Sequence, residues 1–243
     1  MEKHTLEIKN LNVETDGKRT VEGVNLTIRS SEIHILMGPN GSGKSSLLNG
    51  LFGHPSHKLR GGIILDGDDI AALSTDKKAK KGLFLSMQNI PEISGVGMLN
   101  FLHRAYRELT GTEGVSILDF NKEVGERAER FGISREFLKR QVNSGFSGGE
   151  KKQAEMLQLL ALRPKFAFLD EIDSGVDVDS LHKVFSIIEA LKKEGVGFLL
   201  ITHYPNILKK ITPDFVHVMK GGKIVKSGGE ELAREIEEKG FEN

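Results

Sequence analysis

The stretch Ile33–Ser46, IHILMGPNGSGKSS, constrains this chain more than any other. Five apolar-rich residues of strand character run straight into Gly38, Gly43, Lys44 and Ser45, which satisfy G-x-x-x-x-G-K-[ST]. The residues that follow, KSSLLNGLF, can open a helix. A strand, a glycine turn and a helix in that order make a phosphate cradle. The glycines let the backbone close around phosphate oxygens, and successive N–H groups at the helix N-terminus supply positive field. Across Gly38, Pro39, Asn40, Gly41, Ser42, Gly43, Lys44, Ser45 and Ser46, Lys44 is expected to reach the β- and γ-phosphates. Ser45 is expected to ligate Mg²⁺, a hard ion that selects oxygen donors.

The rest of the pattern fits an α/β protein. GLFLS (82–86), FAFLD (166–170) and FLLIT (198–202) are nearly continuous apolar runs of strand length, as buried parallel strands require. LEIKNLNVET (6–15) and VNLTIR (24–29), around the turn DGK, alternate apolar and polar residues. With GGIILDG (61–67) they predict an antiparallel part with one wet face. FVHVMKGGKIVKSG (215–228) predicts a hairpin turning at Gly221–Gly222. Residues 97–160 are mostly helical and charged, an inserted lobe. The basic run DKKAKK (76–81) is expected on a solvated face.

Two carboxylates end the run FAFLDEID. Asp170 is placed to hold Mg²⁺ through its water shell, and Glu171 to polarise an attacking water. His203 stands just past a parallel strand, on the ligand edge of the sheet. Gln88 follows another strand and can reach metal or water. A second glycine-rich turn, FSGGE (146–150), also opens a helix pattern. Ser147, Gly148 and Gly149 can present a hydroxyl and N–H groups to an anion. Because this turn lies at the far end of the lobe, a head-to-tail pair of chains sharing the nucleotides is the economical arrangement.

The balance of the chain excludes some classes. Its 243 residues carry 34 Lys+Arg against 34 Asp+Glu, which argues against a nucleic-acid binder working by bulk charge. Without cysteine, the chain cannot hold a thiolate-bound zinc or iron–sulfur cluster by itself. No apolar run approaches the ~20 residues that span a bilayer. Direct membrane insertion is not expected, and the cytoplasm is the expected compartment.

GPNGSGKSS, Gln88, FSGGE, FAFLDE, SGVD (174–177) and His203, in that order, resemble the nucleotide-binding domain of ABC ATPases. The resemblance covers nearly the whole chain. It implies a P-loop NTPase fold with an antiparallel β subdomain and an inserted helical subdomain. One domain over 1–243 is expected, with 1–90 and 161–243 as the catalytic core and 91–160 as the lobe. It also implies that ATP with Mg²⁺ is bound, that Ser147 and Gly149 contact γ-phosphate in trans, and that Asp177 communicates between the two sites. DEIDSGVDVD, NIPEISGV, GFSGGEKK, ITHYPNIL and PDFVHVMKGGKIVKSGG are more narrowly similar to the SufC group, the ATPase subunits of SUF iron–sulfur cluster assembly. That implies SufB-like and SufD-like scaffold partners and a transient ATP-dependent homodimer. An ABC transporter subunit coupled to membrane partners is the alternative. LNVETDGK lacks the aromatic on which ABC ATPases often stack adenine; Val13 is the nearest apolar candidate.

Overall fold

The computed structural model describes residues 3–86, 91–112, 114–171, 178–202, 207–208 and 210–239. The expectations for Gln88, Asp177 and His203 therefore lie outside the described residues.

An antiparallel sheet is built from β1 (Thr5–Thr15), β2 (Lys18–Arg29), β4 (His57–Leu65) and β5 (Asp68–Asp69), in the order β2-β1-β4-β5. The central sheet adds β3 (Ile33–Met37), β6 (Leu83–Ser86), β9 (Phe166–Asp170), β10 (Gly197–Ile201), β11 (Phe215–Lys220) and β12 (Lys223–Gly228). Its order is β12-β11-β3-β10-β9-β6, parallel except at the β11–β12 hairpin.

The continuous apolar runs have a direct cause: both faces of these strands are covered. Ile33, Ile35, Ala167, Leu169, Phe198 and Leu200 face one apolar cluster, with Leu157, Leu160, Ile187 and Ile188. Leu36, Phe166, Phe168, Leu199 and Ile201 face a second cluster, with Leu47, Leu51 and Phe52 of α1 (Lys44–Phe52) and the inner residues of the antiparallel sheet. The helix α1 is thus sandwiched between the sheets. Phe52 meets Phe168 edge-on, with centroids 5.3 Å apart. At about 25 cal/mol per Å² of apolar surface, burial of this kind supplies most of the drive to fold.

The middle of the chain is α3 (Met98–Thr110), α4 (Ile117–Arg130), α5 (Glu136–Lys139) and α6 (Gly148–Leu162). It also holds a two-stranded ribbon, β7 (Ile93–Gly97) with β8 (Gln141–Val142), which the helical pattern did not foretell. Its apolar side chains Phe120, Val124 and Leu102 join the same cluster as α6 and α7 (Val178–Lys193), so the helices share the core of the sheet.

Three strands of the central sheet are also pinned by a polar chain. His34 Nε2 lies 3.1 Å from Glu32, His34 Nδ1 lies 3.0 Å from His217 Nε2, and His217 Nδ1 lies 2.8 Å from the Ser227 hydroxyl. Both rings are buried. Neutral imidazoles satisfy every link in one direction, from the Ser227 O–H through two N–H donors to the Glu32 carboxylate.

Candidate active site: a phosphate cradle and a separate serine turn

The loop 38–43 leaves the end of β3 and delivers its chain into α1. Two of its glycines are required by close approach. Gly38 has φ 152°, and a Cβ there would stand 2.1 Å from the Met219 carbonyl. Gly43, the N-cap of α1, has φ 107°, and a Cβ there would stand 2.5 Å from the Thr20 carbonyl. Side chains other than hydrogen would force the loop off its neighbours.

Those neighbours include a feature that the motif does not reveal. The β11–β12 turn at Gly221–Gly222 clasps the loop from outside: Gly222 N–H donates to the Ser42 carbonyl at 2.9 Å, and Glu22 N–H donates to the Gly222 carbonyl at 2.8 Å. The predicted hairpin is thus a wall of the site. Together these elements enclose a cleft of about 730 Å³, into which Asn40, Gly41, Gly43, Lys44, Ser45, Ser46 and Glu171 open. Lys18 and Arg19 also line it.

Inside the cleft, Lys44 lies across its own loop, donating to the Gly38 carbonyl at 2.7 Å and the Pro39 carbonyl at 3.0 Å. Burial lowers its pKa, and the carboxylates of Asp170 and Glu171 work against that. Among the described residues its hydrogen bonds go to neutral carbonyls, which leaves the ammonium ready to transfer to an anion.

Asp170 is buried at the C-terminal end of β9. Burial raises its pKa, a hydrogen bond from the Ser45 hydroxyl opposes the rise, and among the described residues its Oδ1 has no hydrogen-bond partner. A buried carboxylate oxygen without a donor, beside a serine hydroxyl, is a hard-oxygen set that fits Mg²⁺. Glu171 follows with φ 48°, a left-handed conformation rare outside glycine, and its N–H donates to the Ile201 carbonyl at 3.0 Å. That tie across β9 and β10 turns its side chain into the cleft.

The second turn is elsewhere. Neither Ser147, Gly148 nor Gly149 lines the cleft. Ser147 is the N-cap of α6 in a reciprocal box: Glu150 N–H donates to its hydroxyl oxygen at 3.3 Å, and its own N–H donates to Glu150 at 2.8 Å. These bonds, with the Arg140 guanidinium, hold the Glu150 pKa down at about 2. The Ser147 hydroxyl thus accepts from the Glu150 N–H and also bonds the Glu150 carboxylate. Arg140 also lies 3.9 Å over the Phe146 ring, fixing the entrance to the turn. Val13, the apolar candidate for a base contact, is buried beneath Gly50 of α1 and is out of reach of a base.

The comparisons agree with this architecture. A family model described as ABC transporter matches residues 21–174. The chain is 47% identical to "Vegetative protein 296" of Bacillus subtilis, over 98% of this chain and 92% of that protein. It is 46% identical to a "Probable ATP-dependent transporter" of Synechocystis, over 100% and 96%. A solved "ATP binding subunit of ABC transporter" superposes with TM-score 0.80 at 21% identity, over 97% of this chain and 95% of that one. An ATP-binding cassette solved as a dimer in a post-hydrolysis state with ADP and Pi superposes with TM-score 0.75 at 20% identity, over 92% and 98%. Among the described residues, no helix is long and apolar enough to cross a membrane. By the family model and by these relatives, the chain belongs to the ABC transporter family, as a P-loop ATPase of the ATP-binding-cassette fold.

Proposed function

We propose that this chain binds MgATP in the 730 Å³ cleft and hydrolyses it as one half of a head-to-tail dimer that drives a scaffold of SufB-like and SufD-like subunits. The observation that carries the reading is the separation of the two serine turns: the cleft holds a cation, a metal-side carboxylate and Glu171, yet the Ser147 turn stands apart from it. In this scheme Lys44 leaves its loop carbonyls for the β- and γ-phosphates. Ser45 and Asp170, with Gln88, hold Mg²⁺. When bound there, the ion would supply neutralisation of phosphate charge. Glu171 takes the proton of the attacking water, and His203 bonds the γ-phosphate. Ser147, Gly148 and Gly149 of the second copy close the site, as the N-terminus of a 15-residue helix can for an anion. Asp177 carries the state of one site to the other, and the helical lobe, residues 91–160, carries the stroke to the scaffold.

Complementation tests it. Lys44→Ala and Ser147→Ala each leave a homodimer without a whole site. Mixed one to one, they form a heterodimer with one intact site, so phosphate release returns in the mixture. A mixture as inactive as its components would refute the shared site.

A second reading is an ATPase subunit of a membrane transporter. It is favoured by the names of relatives such as the "Probable ATP-dependent transporter" of Synechocystis. Purification of the tagged chain from its own cells separates the two: soluble scaffold partners support the first reading, detergent-extracted ones the second.

A further inference from the structure

Lys78 sits in the basic run expected on a solvated face, but its side chain is fully buried. It belongs to α2 (Thr75–Lys80), whose other lysines, Lys77 and Lys80, are exposed. Its ammonium donates to the Leu51 carbonyl at 2.7 Å. The Thr75 hydroxyl donates to the Phe52 carbonyl, also at 2.7 Å. Leu51 and Phe52 are the last two residues of α1, the helix whose N-terminus is the phosphate loop. α1 has no basic side chain in its own last turn. Among the described residues Lys78 makes no ion pair with a carboxylate. Burial alone pulls its pKa down.

A buried, unpaired cation costs stability, and a neutral side chain of the same length would cost less. Its position gives it another use. A helix of nine residues is about 13 Å long. The negative end of its dipole is where Lys78 stands, and the positive end is where the anion binds. Through the apolar cluster around α1, a unit charge at that range still acts on a multiply charged ligand.

We infer that Lys78 is a positioning residue for the phosphate site: it caps the C-terminus of α1 and adds its charge, along the helix, to the field that holds the triphosphate. The inference rests on the phosphate loop being the nucleotide site. Lys78 touches no ligand and acts only through α1.

The test measures Kd for MgATP and MgADP by calorimetry in wild type, Lys78→Met and the exposed control Lys77→Met. Failure of the wild type to bind either nucleotide would overturn the site itself, separately from this inference. With binding present, Lys78→Met is expected to weaken MgATP on the order of tenfold, with its melting temperature held within a few degrees. MgADP, with less charge, loses about the square root of that factor. Lys77→Met changes neither, and the Lys78→Met loss persists at high salt because a buried charge is poorly screened. An affinity within twofold of wild type overturns the inference. So does an equal loss for both nucleotides that follows a fall in melting temperature, since that marks a structural role alone. Should Lys78→Met fail to fold, Lys78→Gln, which keeps a donor for the Leu51 carbonyl without the charge, carries the same comparison.

Discussion

The two serine-bearing turns of this molecule look alike in sequence and differ in what surrounds them. The loop before α1 is clamped by the Gly221–Gly222 turn, contains a buried lysine, and faces Asp170 and Glu171. The turn before α6 is exposed at Ser147 and Gly148 and spends its serine oxygen and N–H on Glu150, while the lysines that follow it, Lys151 and Lys152, are bonded to Glu92 and Glu155. The first is equipped to bind a highly charged ligand by itself. The second offers an exposed serine at a helix N-terminus, enough to complete a site but not to make one. A glycine-rich turn at a helix start is therefore only the frame. The cation and carboxylates brought to it decide its chemistry.

The largest break in that comparison is Lys44→Ala. It removes the only ammonium bonded within the loop. Affinity for MgATP is expected to fall at least 100-fold in a titration; unchanged binding would make the first turn no better than the second. Next comes Glu171→Gln. It keeps MgATP binding but slows phosphate release by about 10²–10⁴, the range of a lost general base. It also prolongs the dimer in size-exclusion runs with ATP. Hydrolysis at the wild-type rate would remove Glu171 from that role.

The smallest effect concerns acid. The Glu150 carboxylate keeps its charge down to about pH 2, so the box at the second turn survives mild acid. The buried pair His34–His217 does not. Burial pulls both pKa values down, His217 to about 3 with His34 adding to the fall, while the Glu32 carboxylate opposes the shift at His34. A histidine ionises near pH 6.5 in the unfolded chain, so below that pH the unfolded state binds the proton first. The contribution of this pair to stability is flat above about pH 6.5 and falls between there and about pH 3. The slope for His217 is about 1.4 kcal/mol per pH unit. Urea midpoints across that range should show the fall, and His217→Asn should flatten it. An equally steep fall in the variant would place the acid sensitivity elsewhere.

Several of these features could be read in advance. IHILM, FAFLD and FLLIT announce buried parallel strands because each has an apolar cluster on both faces. The hairpin at Gly221–Gly222 was also legible, because alternation and paired glycines are local signals. Its role as a wall of the phosphate site was not: Gly222 and Ser42 are far apart in sequence, and a backbone bond between them leaves no mark on side-chain pattern. Lys78 was misread for a related reason. A lysine among lysines looks solvated, and only the approach of α2 to the end of α1 buries it. Val13 failed as a base contact because its strand packs directly on Gly50, a helix position with no side chain to hold the two apart.

Residue order alone determined the strand–loop–helix cradle, the carboxylates at the end of β9 and the serine cap of α6. Each depends on neighbours within a few residues, where φ, capping and alternation act. Tertiary structure alone decided that Met219 and Gly222 hold the loop, that Lys78 caps the helix behind it, and that Ser147 stands outside the cleft. Those outcomes arise from the packing of distant segments, whose contacts exist only once both sheets close on α1.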